Sequence, residues 1–459
     1  MSLWLILSLS IYIALQLYIA WLASRYIRNE TDYLLAGRSL GIGLGSFSLF
    51  ATWFGAETVI GSAGAVAGSG LSGGRTDPFG YGICLILMAV FLAGQMRARN
   101  YVTLGDYFRE RFGPAAEKLA SLAMIPTSLI WAAAQILAFA SILTSTTALS
   151  LDISLIITVV IVVTYSTLGG MLGDVFTDCI QGSVVIIGLA LLLYLVIGEA
   201  GGLSAAIASI EPSRLEIFRE DESLLQQLDG WMIPIFGSLV AQEAMSRLLA
   251  TRSADIARRA CYVAAGIYMI VGLMPVLIAL FGYQLIPIPE EQDSFLPTLA
   301  LNIMPPVLYV IFLGALISAI LSTIDSALLS ATALVSHNLL LRHYPEIAEN
   351  RKLLITRGFM VLSGLFCYVV AAGGDSIFGL VELASYFGSS GIVVCVLAGL
   401  YVRGGGQLTG IATLITGIIL TSLGEFLIDM EAPYLTAVAG CAIVYAMMNL
   451  YERNVRCAK

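Results

Sequence analysis

The sequence predicts an all-α polytopic membrane protein with about 13 transmembrane helices. Its 459 residues are 58% hydrophobic and only 12% charged. The mean hydropathy of +0.90 is far above that of soluble domains. Windows without a charged side chain recur along the chain, and most can cross a hydrocarbon core about 30 Å thick as a helix. We therefore expect residues 1–459 to form a single transmembrane domain without a soluble domain.

The predicted spans follow one another with mostly short connections. One of them, 294–341, joins two charge-free windows into a long helix that is interrupted only by Asp325. Between the third and fourth spans, the stretch LGDYFRERFGP within 97–118 predicts a short amphipathic surface helix. The predicted spans are 3–24, 44–68, 79–96, 119–151, 153–173, 179–198, 230–250, 260–289, 294–341, 353–374, 376–402, 404–424 and 432–451.

Basic residues are distributed unevenly between the two sides of the membrane. If the first helix enters from outside, 20 of the 23 lysines and arginines fall on one side, and only Arg75, Arg214 and Arg219 fall on the other. Because basic residues concentrate in cytoplasmic loops, this predicts an external N-terminus and a cytoplasmic C-terminus in the cell membrane. No cleavable signal peptide is evident. The seven cysteines suggest neither an external disulfide nor a metal site.

Acidic residues inside predicted spans are costly and are therefore candidates for function. Glu57 lies in the glycine-rich stretch SLFATWFGAETVIGSAG, and Glu243 lies in GWMIPIFGSLVAQEAMSRLLATR, which also holds Pro234 and Gly237. These stretches are the second and seventh spans, and such a pair of interrupted helices is typical of an inverted-repeat transporter. The alternatives are that the glycines serve close helix packing and that each acid is simply paired or protonated. The other intramembrane acids are Asp174, Asp178, Asp325 and Glu382.

A stripe of small polar residues follows in SAILSTIDSALLSA, residues 318–331. Ala319, Ser322, Thr323 and Ser326 are spaced i, i+3, i+4 and i+7, which places them on one face of a helix. Two hydroxyls and a carbonyl on one face supply half of a sodium site built from neutral oxygens, and the carbonyls of an unwound helix can supply the rest. Alternatively, these hydroxyls bond only to their own helix.

Four stretches together resemble the sodium/solute symporter family, over nearly the whole chain. They are SLFATWFGAETVIGSAG, TYSTLGGMLGDVFTDCIQ, SRLLATRSADIARRA and SAILSTIDSALLSA. The resemblance implies a five-plus-five inverted-repeat core of the LeuT-like kind over 44–402. It also implies one additional N-terminal helix at 3–26 and two additional C-terminal helices at 404–451.

The resemblance also implies which residues hold the coupling ion, Na⁺. Carbonyls of Ala51 and Phe54 on the first core helix would join the Ala319 carbonyl and the Ser322 and Thr323 hydroxyls on the eighth. Some members bind a second ion, and the matching positions here are Asp178, Asp325 and Ser326.

Two of the matched positions depart from the family pattern. Asp325 stands where the family has a hydroxyl, and it could strengthen a second sodium site, carry a proton or neutralise an amine. A structural role for Asp178 is an alternative to ion binding. Sugar carriers of the family have a tyrosine where this chain has Glu243, which argues against a sugar substrate.

The expected substrate is a small organic solute. Aromatic residues beside carboxylates suit an organic cation such as a choline-like amine, and the ATWFG stretch resembles the choline-carrying branch of the family. A zwitterionic amino acid is the alternative, with its carboxylate on the free amides of the broken helix. The candidate lining residues are Trp53, Glu57, Thr58, Trp131, Gln135, Gln242, Glu243 and Tyr386.

We therefore expect a sodium-coupled secondary active symporter that imports its solute by alternating access. Proton coupling on the same fold and a membrane sensor module remain alternatives. An enzyme is not expected, because the only histidines are His337 and His343 and no hydrolase, metalloprotease or nucleotide-binding motif is present. The expected partners are the small-molecule solute and the lipid bilayer, with no nucleic acid, and the sequence does not indicate an oligomeric state.

Overall fold

The computed structural model describes residues 3–147, 149–219, 222–289, 291–344, 346–374, 380–381, 384, 389–428 and 430–457. Over these residues the regular structure is helical, apart from one isolated β-bridge between Leu40 and Thr251. An all-α membrane fold was predicted from the recurring apolar windows, and the described helices confirm it.

The first part of the chain alternates long helices with short, interrupted ones. A π-helical turn, Glu57–Gly61, lies between the third and fourth helices, and another, Ala89–Ala93, follows the fifth. The helices are α1 Leu3–Ser24, α2 Glu30–Leu35, α3 Ile42–Trp53, α4 Ser62–Ser69, α5 Tyr81–Met88, α6 Gly94–Ala98, α7 Leu104–Phe112, α8 Pro114–Thr146, α9 Leu151–Glu199 and α10 Leu203–Ala208.

The second part has the same mixture of long and interrupted helices. The turns Ile233–Gly237 and Ser238–Val240 precede the twelfth helix, and the turn Leu334–Leu340 extends the fifteenth. The helices are α11 Leu224–Met232, α12 Gln242–Leu249, α13 Ala254–Gly282, α14 Phe295–Ile303, α15 Pro306–Ala333, α16 Glu349–Ala372, α17 Ser389–Tyr401, α18 Gln407–Phe426 and α19 Pro433–Cys457.

The number of spans stays a prediction. Eight described segments are long and apolar enough to cross a membrane, and Ser10–Ser24, Ile42–Trp53 and Ser389–Tyr401 are shorter apolar helices. One of the eight, α9, has 49 residues, about 70 Å of helix at 1.5 Å per residue, which is far more than one span needs. It bends at Gly170, where φ is 49° and ψ is −159°, and the two halves correspond to the two spans predicted there.

The single long helix predicted over 294–341 is wrong in detail. The chain separates into α14 and α15 at Met304 and Pro305, where Met304 is extended. Proline has no N–H and favours the first turn of a helix, which explains why a new helix begins there. The predicted joining of the two charge-free windows across Asp325 is confirmed, since α15 runs through this residue without a break.

Helix α15 lies at the centre of the bundle. It packs against α8, α9 and α16, and every residue from Ala315 to Ala333 is buried. A helix that is apolar or small on all sides avoids water, and the burial of this one shows that protein rather than lipid surrounds it. The serines and the aspartate on α15 therefore have only other helices as neighbours, which makes their partners decisive for function.

The predicted amphipathic helix is present as α7. Thr103 and Asp106 form a capping box at its start, and its apolar residues Tyr107 and Phe108 are buried against the bundle. Burial favours a raised pKa for Asp106, but its contacts with His337 and with Arg342, 2.8 Å away, outweigh burial and lower the pKa to about 2. The charged face of α7 is thus tied to the end of α15.

The bend in α9 generates a prediction about Gly170. A Cβ at this residue would lie 2.7 Å from the Tyr33 carbonyl oxygen, and its positive φ disfavours any other residue. We expect Gly170→Ala to destabilise the protein by about 1–3 kcal/mol, seen as a lower melting temperature in detergent. Gly358→Ala is the matched control, because nothing lies within 4 Å of a Cβ there. Equal melting temperatures for both variants would contradict the assigned bend.

Candidate functional site

The first interrupted helix breaks between α3 and the turn that begins at Glu57. Phe54 leaves the helical region with φ −82° and ψ 65°. The Gly55 amide, which would bond Ala51 in a continuous helix, instead bonds the Trp53 carbonyl at 2.9 Å. A Cβ on Gly55 would lie 2.7 Å from the Thr323 hydroxyl. Only glycine fits here, and the predicted unwinding at this stretch is confirmed.

The second interrupted helix breaks directly before α12. Ala241 is extended, with φ −62° and ψ 127°, and it separates α12 from the turns that contain Pro234 and Gly237. Each of the two predicted stretches therefore contains a broken helix. Such breaks leave backbone polar groups unbonded inside the bundle, where a ligand can use them.

The five residues predicted to hold sodium lie where α3 meets α15. The Ser322 hydroxyl is 3.0 Å from the Ala51 carbonyl oxygen. Ala51, Phe54, Ala319 and Ser322 line one gap that is too narrow for a water molecule. Thr323 donates to the Ala319 carbonyl oxygen at 3.3 Å, the bond within its own helix that was the alternative to ion binding. Neutral carbonyl and hydroxyl oxygens are a donor set that suits a bare sodium ion.

Asp178 adjoins this group from α9. Its carboxylate accepts hydrogen bonds from Ser48, at 2.5 Å, and from Ser322. It also lies 4.0 Å from the guanidinium of Arg247, which forms an ion pair with Asp174. Asp178 thus contacts one predicted sodium ligand, Ser322, and a buried arginine, so its position is compatible with a structural role as well as with ion binding.

The other two residues of the possible second ion site have different partners. Asp325 accepts from Ser166 on α9 at 2.7 Å. The Ser326 hydroxyl donates to the Ser322 carbonyl oxygen at 2.8 Å and accepts from Arg247 at 2.5 Å. The hydrogen bonds of Asp325 therefore lead away from Asp178, and Arg247 lies at Ser326, where the sequence placed an ion.

Glu57 lies just after the break and is held by two side chains of α8. Trp131 donates its indole N–H to the carboxylate at 2.9 Å, and Gln135 donates its amide at 2.5 Å. The carbonyl oxygen of the Gln135 side chain accepts from the Ala56 amide at 2.9 Å, which satisfies part of the unwound backbone. Three predicted lining residues therefore form one hydrogen-bonded group.

Thr58 belongs to a buried hydrogen-bonded cluster that the sequence did not indicate. Its hydroxyl lies 2.5 Å from the Asp77 carboxylate, 2.9 Å from the Tyr268 hydroxyl and 3.0 Å from the Trp53 carbonyl oxygen. Asp77 follows Arg75 in a short polar connection and so resembles an ordinary loop aspartate in sequence. Tyr268 lies in an apolar span with nothing to distinguish it. Only the fold brings them together.

Two adjoining cavities with shared lining residues lie beside the break. The inner one is narrow, with a volume of about 80 Å³, and includes Trp53, Trp131 and Glu243 in its lining. The outer one has about 1500 Å³ including its mouth, and it reaches Arg75 and Arg219 on the side that the sequence assigns to the outside. Both cavities are lined by Tyr81, Ile233 and Val381. A solute can therefore reach the broken helix from that side.

The remaining predicted lining residues differ in their positions. Glu243 lines the inner cavity and accepts from Ser128. Gln242 also lines it, but its side chain mainly anchors other parts of the chain, accepting from the Leu104 amide and donating to Ser246, both at 2.8 Å. Tyr386 and Glu382 lie outside the described residues.

This arrangement is that of a secondary transporter, with two broken helices enclosing a polar site inside a membrane bundle. The family model described as Sodium:solute symporter family matches residues 33–417. The chain therefore belongs to the sodium:solute symporter family, whose members are transporters and not enzymes and use sodium as the coupling ion.

Two individual transporters are similar to this chain at 26% identity. The high-affinity choline transporter 1 of Drosophila melanogaster is 26% identical over 78% of this chain. The chain spans only 59% of the length of that protein. The high-affinity proline transporter PutP of Bacillus subtilis is 26% identical over 90% of this chain and 92% of its own length.

A solved structure supports the fold. A Na⁺-coupled sialic acid symporter in a substrate-bound, outward-open state matches with a TM-score of 0.84, 16% identity, and coverage of 95% of this chain and 94% of that one. This likeness confirms the predicted LeuT-like fold class.

The hydrogen bond from Trp131 to Glu57 generates a testable prediction. Trp131→Phe keeps an aromatic side chain but removes the indole N–H, so one oxygen of the half-buried Glu57 carboxylate loses this donor, at a cost of about 1–3 kcal/mol. We expect a lower melting temperature, and a clearly smaller drop when the same change is made in a Glu57→Gln background. An equal drop in both backgrounds would mean that the indole contributes by packing alone.

Proposed function

We propose that the protein is a sodium-coupled importer of a small organic cation. The contact that carries the proposal is the one between Ser322 and the Ala51 carbonyl oxygen, 3.0 Å apart, because it joins the broken helix to α15 at the expected ion position. A cation bound between these elements would hold α3 and α15 together and fix the adjacent break. Ion and solute would then each raise the affinity of the other.

The residues that would hold sodium are the carbonyls of Ala51, Phe54 and Ala319 and the hydroxyls of Ser322 and Thr323. The fit rests on the donor set, since all five oxygens are neutral and buried. Thr323 currently bonds Ala319, so its hydroxyl would turn toward the ion. Sodium supplies charge and links the two helices, while the chain supplies the dry, confined surroundings.

The inner cavity supports an organic cation as the solute. Its described lining contains the aromatic residues Trp53, Tyr81 and Trp131 together with Glu243, and no lysine, arginine or histidine. Aromatic faces attract cations, and a desolvated carboxylate adds charge pairing. The similarity to a choline transporter agrees with this choice. A zwitterionic amino acid remains the rival, in line with the similarity to a proline transporter.

The transport cycle follows from these positions. Solute enters through the outer cavity, passes Tyr81 and binds between the broken helix and α12. Rocking of the broken helices against α9 and α15 then closes the outer route and opens the inner one. The external N-terminus and cytoplasmic C-terminus belong to the same proposal, which makes this direction an import.

Removing the sodium hydroxyls should weaken sodium binding selectively. We expect Ser322→Ala and Thr323→Ala to raise the sodium concentration for half-maximal thermal stabilisation by about tenfold, because each loses one oxygen ligand. Ser330→Ala is the matched control, a buried serine on the same helix whose hydroxyl has no partner in the described structure. The proposal fails if all three variants behave alike.

The solute class can be tested by thermal stabilisation of the purified protein. We expect choline or tetramethylammonium to stabilise it in sodium but not in potassium, and proline and glucose to stabilise it much less. Glu243→Gln should weaken this stabilisation by about tenfold, because it removes the charge of a buried pair. Stabilisation by proline alone would favour the amino acid. Stabilisation that depends on pH but not on sodium would favour proton coupling.

A further inference from the structure

A buried arginine, Arg247, lies close to the proposed sodium position and is separated from it by the side chain of Asp178. The side chain of Arg247, on α12, has no exposed surface. Its guanidinium forms an ion pair with Asp174, lies 2.5 Å from the Ser326 hydroxyl, and is 4.0 Å from the Asp178 carboxylate. Since Asp178 also accepts from Ser322, one carboxylate separates the guanidinium from a proposed sodium ligand.

The hydrogen bonding of this arginine is incomplete. Its Nε and Nη1 have no partner within the described structure, and neither does Oδ1 of Asp174. A guanidinium has five N–H donors, and leaving charged groups unsatisfied in a buried place is expensive. Two nitrogens of Arg247 and one oxygen of Asp174 are therefore able to take further partners within this cluster.

More carboxyl groups lie around Arg247 than one guanidinium can pair with. Asp174 and Asp178 face it from α9. Glu243 precedes it by one helical turn on α12, which places both side chains on the same face. Asp325, on α15, bonds Ser166 instead and does not pair with Arg247 in the described structure. A second positive charge in this region would therefore be favoured.

We propose that Arg247 is a tethered cation that competes with sodium for Asp178. Without sodium, the guanidinium shares its charge between Asp174 and Asp178. Sodium bound at Ala51 and Ser322 attracts the Asp178 carboxylate and repels the guanidinium, which shifts toward Asp174. This inference rests on the proposed function, because it requires sodium at that position.

Because Arg247 lies on α12, its competition with sodium for Asp178 would couple sodium binding to solute binding. The same eight-residue helix carries Glu243, which lines the solute cavity, one turn before Arg247. A solute that pulls on Glu243 moves the guanidinium relative to Asp178, and a sodium ion that displaces the guanidinium moves Glu243. Two sites that bias one rigid element affect each other's ligands reciprocally.

The test is the sodium concentration for half-maximal thermal stabilisation of the purified full-length protein, with potassium replacing sodium at constant ionic strength. Arg247→Gln removes the competing charge, so we expect this concentration to fall by about tenfold. Arg247→Lys keeps the charge and should stay close to wild type. Arg97→Gln is the matched control, since Arg97 is also buried but bonds the Thr251 and Arg252 carbonyl oxygens instead of an acid, and it should leave the value unchanged.

A second variant keeps the test decisive if Arg247→Gln does not fold. Asp174→Asn removes the nearer partner of Arg247 and leaves the guanidinium to Asp178, so the sodium concentration should rise by about tenfold. Shifts in opposite directions support the competition. Shifts in the same direction, or no shift in either variant while wild type responds to sodium, overturn it. A wild-type protein that does not respond to sodium overturns the proposed function as well.

Discussion

The whole structure depends on enclosing unbonded backbone inside a membrane. A helix that breaks in lipid leaves amide and carbonyl groups without partners, which costs several kcal/mol for each group. The break at Phe54 and Gly55 is tolerated because α8, α9, α13 and α15 surround it. Gln135 bonds the free Ala56 amide, and Ser322 reaches the Ala51 carbonyl oxygen. The groups that satisfy the break are thus also those that can bind an ion or a solute.

The buried acidic side chains, like the broken backbone, are stabilised by specific hydrogen-bond partners. Each described acid near the break has specific donors: Glu57 has Trp131 and Gln135, Asp77 has Thr58 and Tyr268, and Asp178 has Ser48 and Ser322. Arg247 is the buried counter-ion of Asp174 on α9 and lies 4.0 Å from Asp178 on the same helix. Carboxylates with neutral donors but few bases keep the interior attractive to cations, which is the physical basis for proposing both an inorganic and an organic cation as ligands.

Sequence reasoning found the parts of this site that have a local signature. Glycine and proline within an apolar span predicted both breaks, and the spacing of Ala319, Ser322 and Thr323 predicted the stripe on α15 because helical periodicity is a local property. Asp77, Tyr268 and the buried ion pair of Arg247 were missed, since each depends on contacts between helices far apart in the chain. The separation of α14 from α15 at Pro305 was also missed, although the prolines at 305 and 306 were a usable signal. The number of spans and the ion-binding roles remain predictions.

The most direct test of sodium-driven transport is uptake of radiolabelled choline into proteoliposomes. With sodium high outside and low inside, the account predicts accumulation above the external concentration. The accumulation should collapse when the sodium gradient is dissipated and should be absent when potassium replaces sodium. Accumulation driven by a proton gradient alone would contradict the account. So would simple equilibration of choline that is indifferent to the sodium gradient.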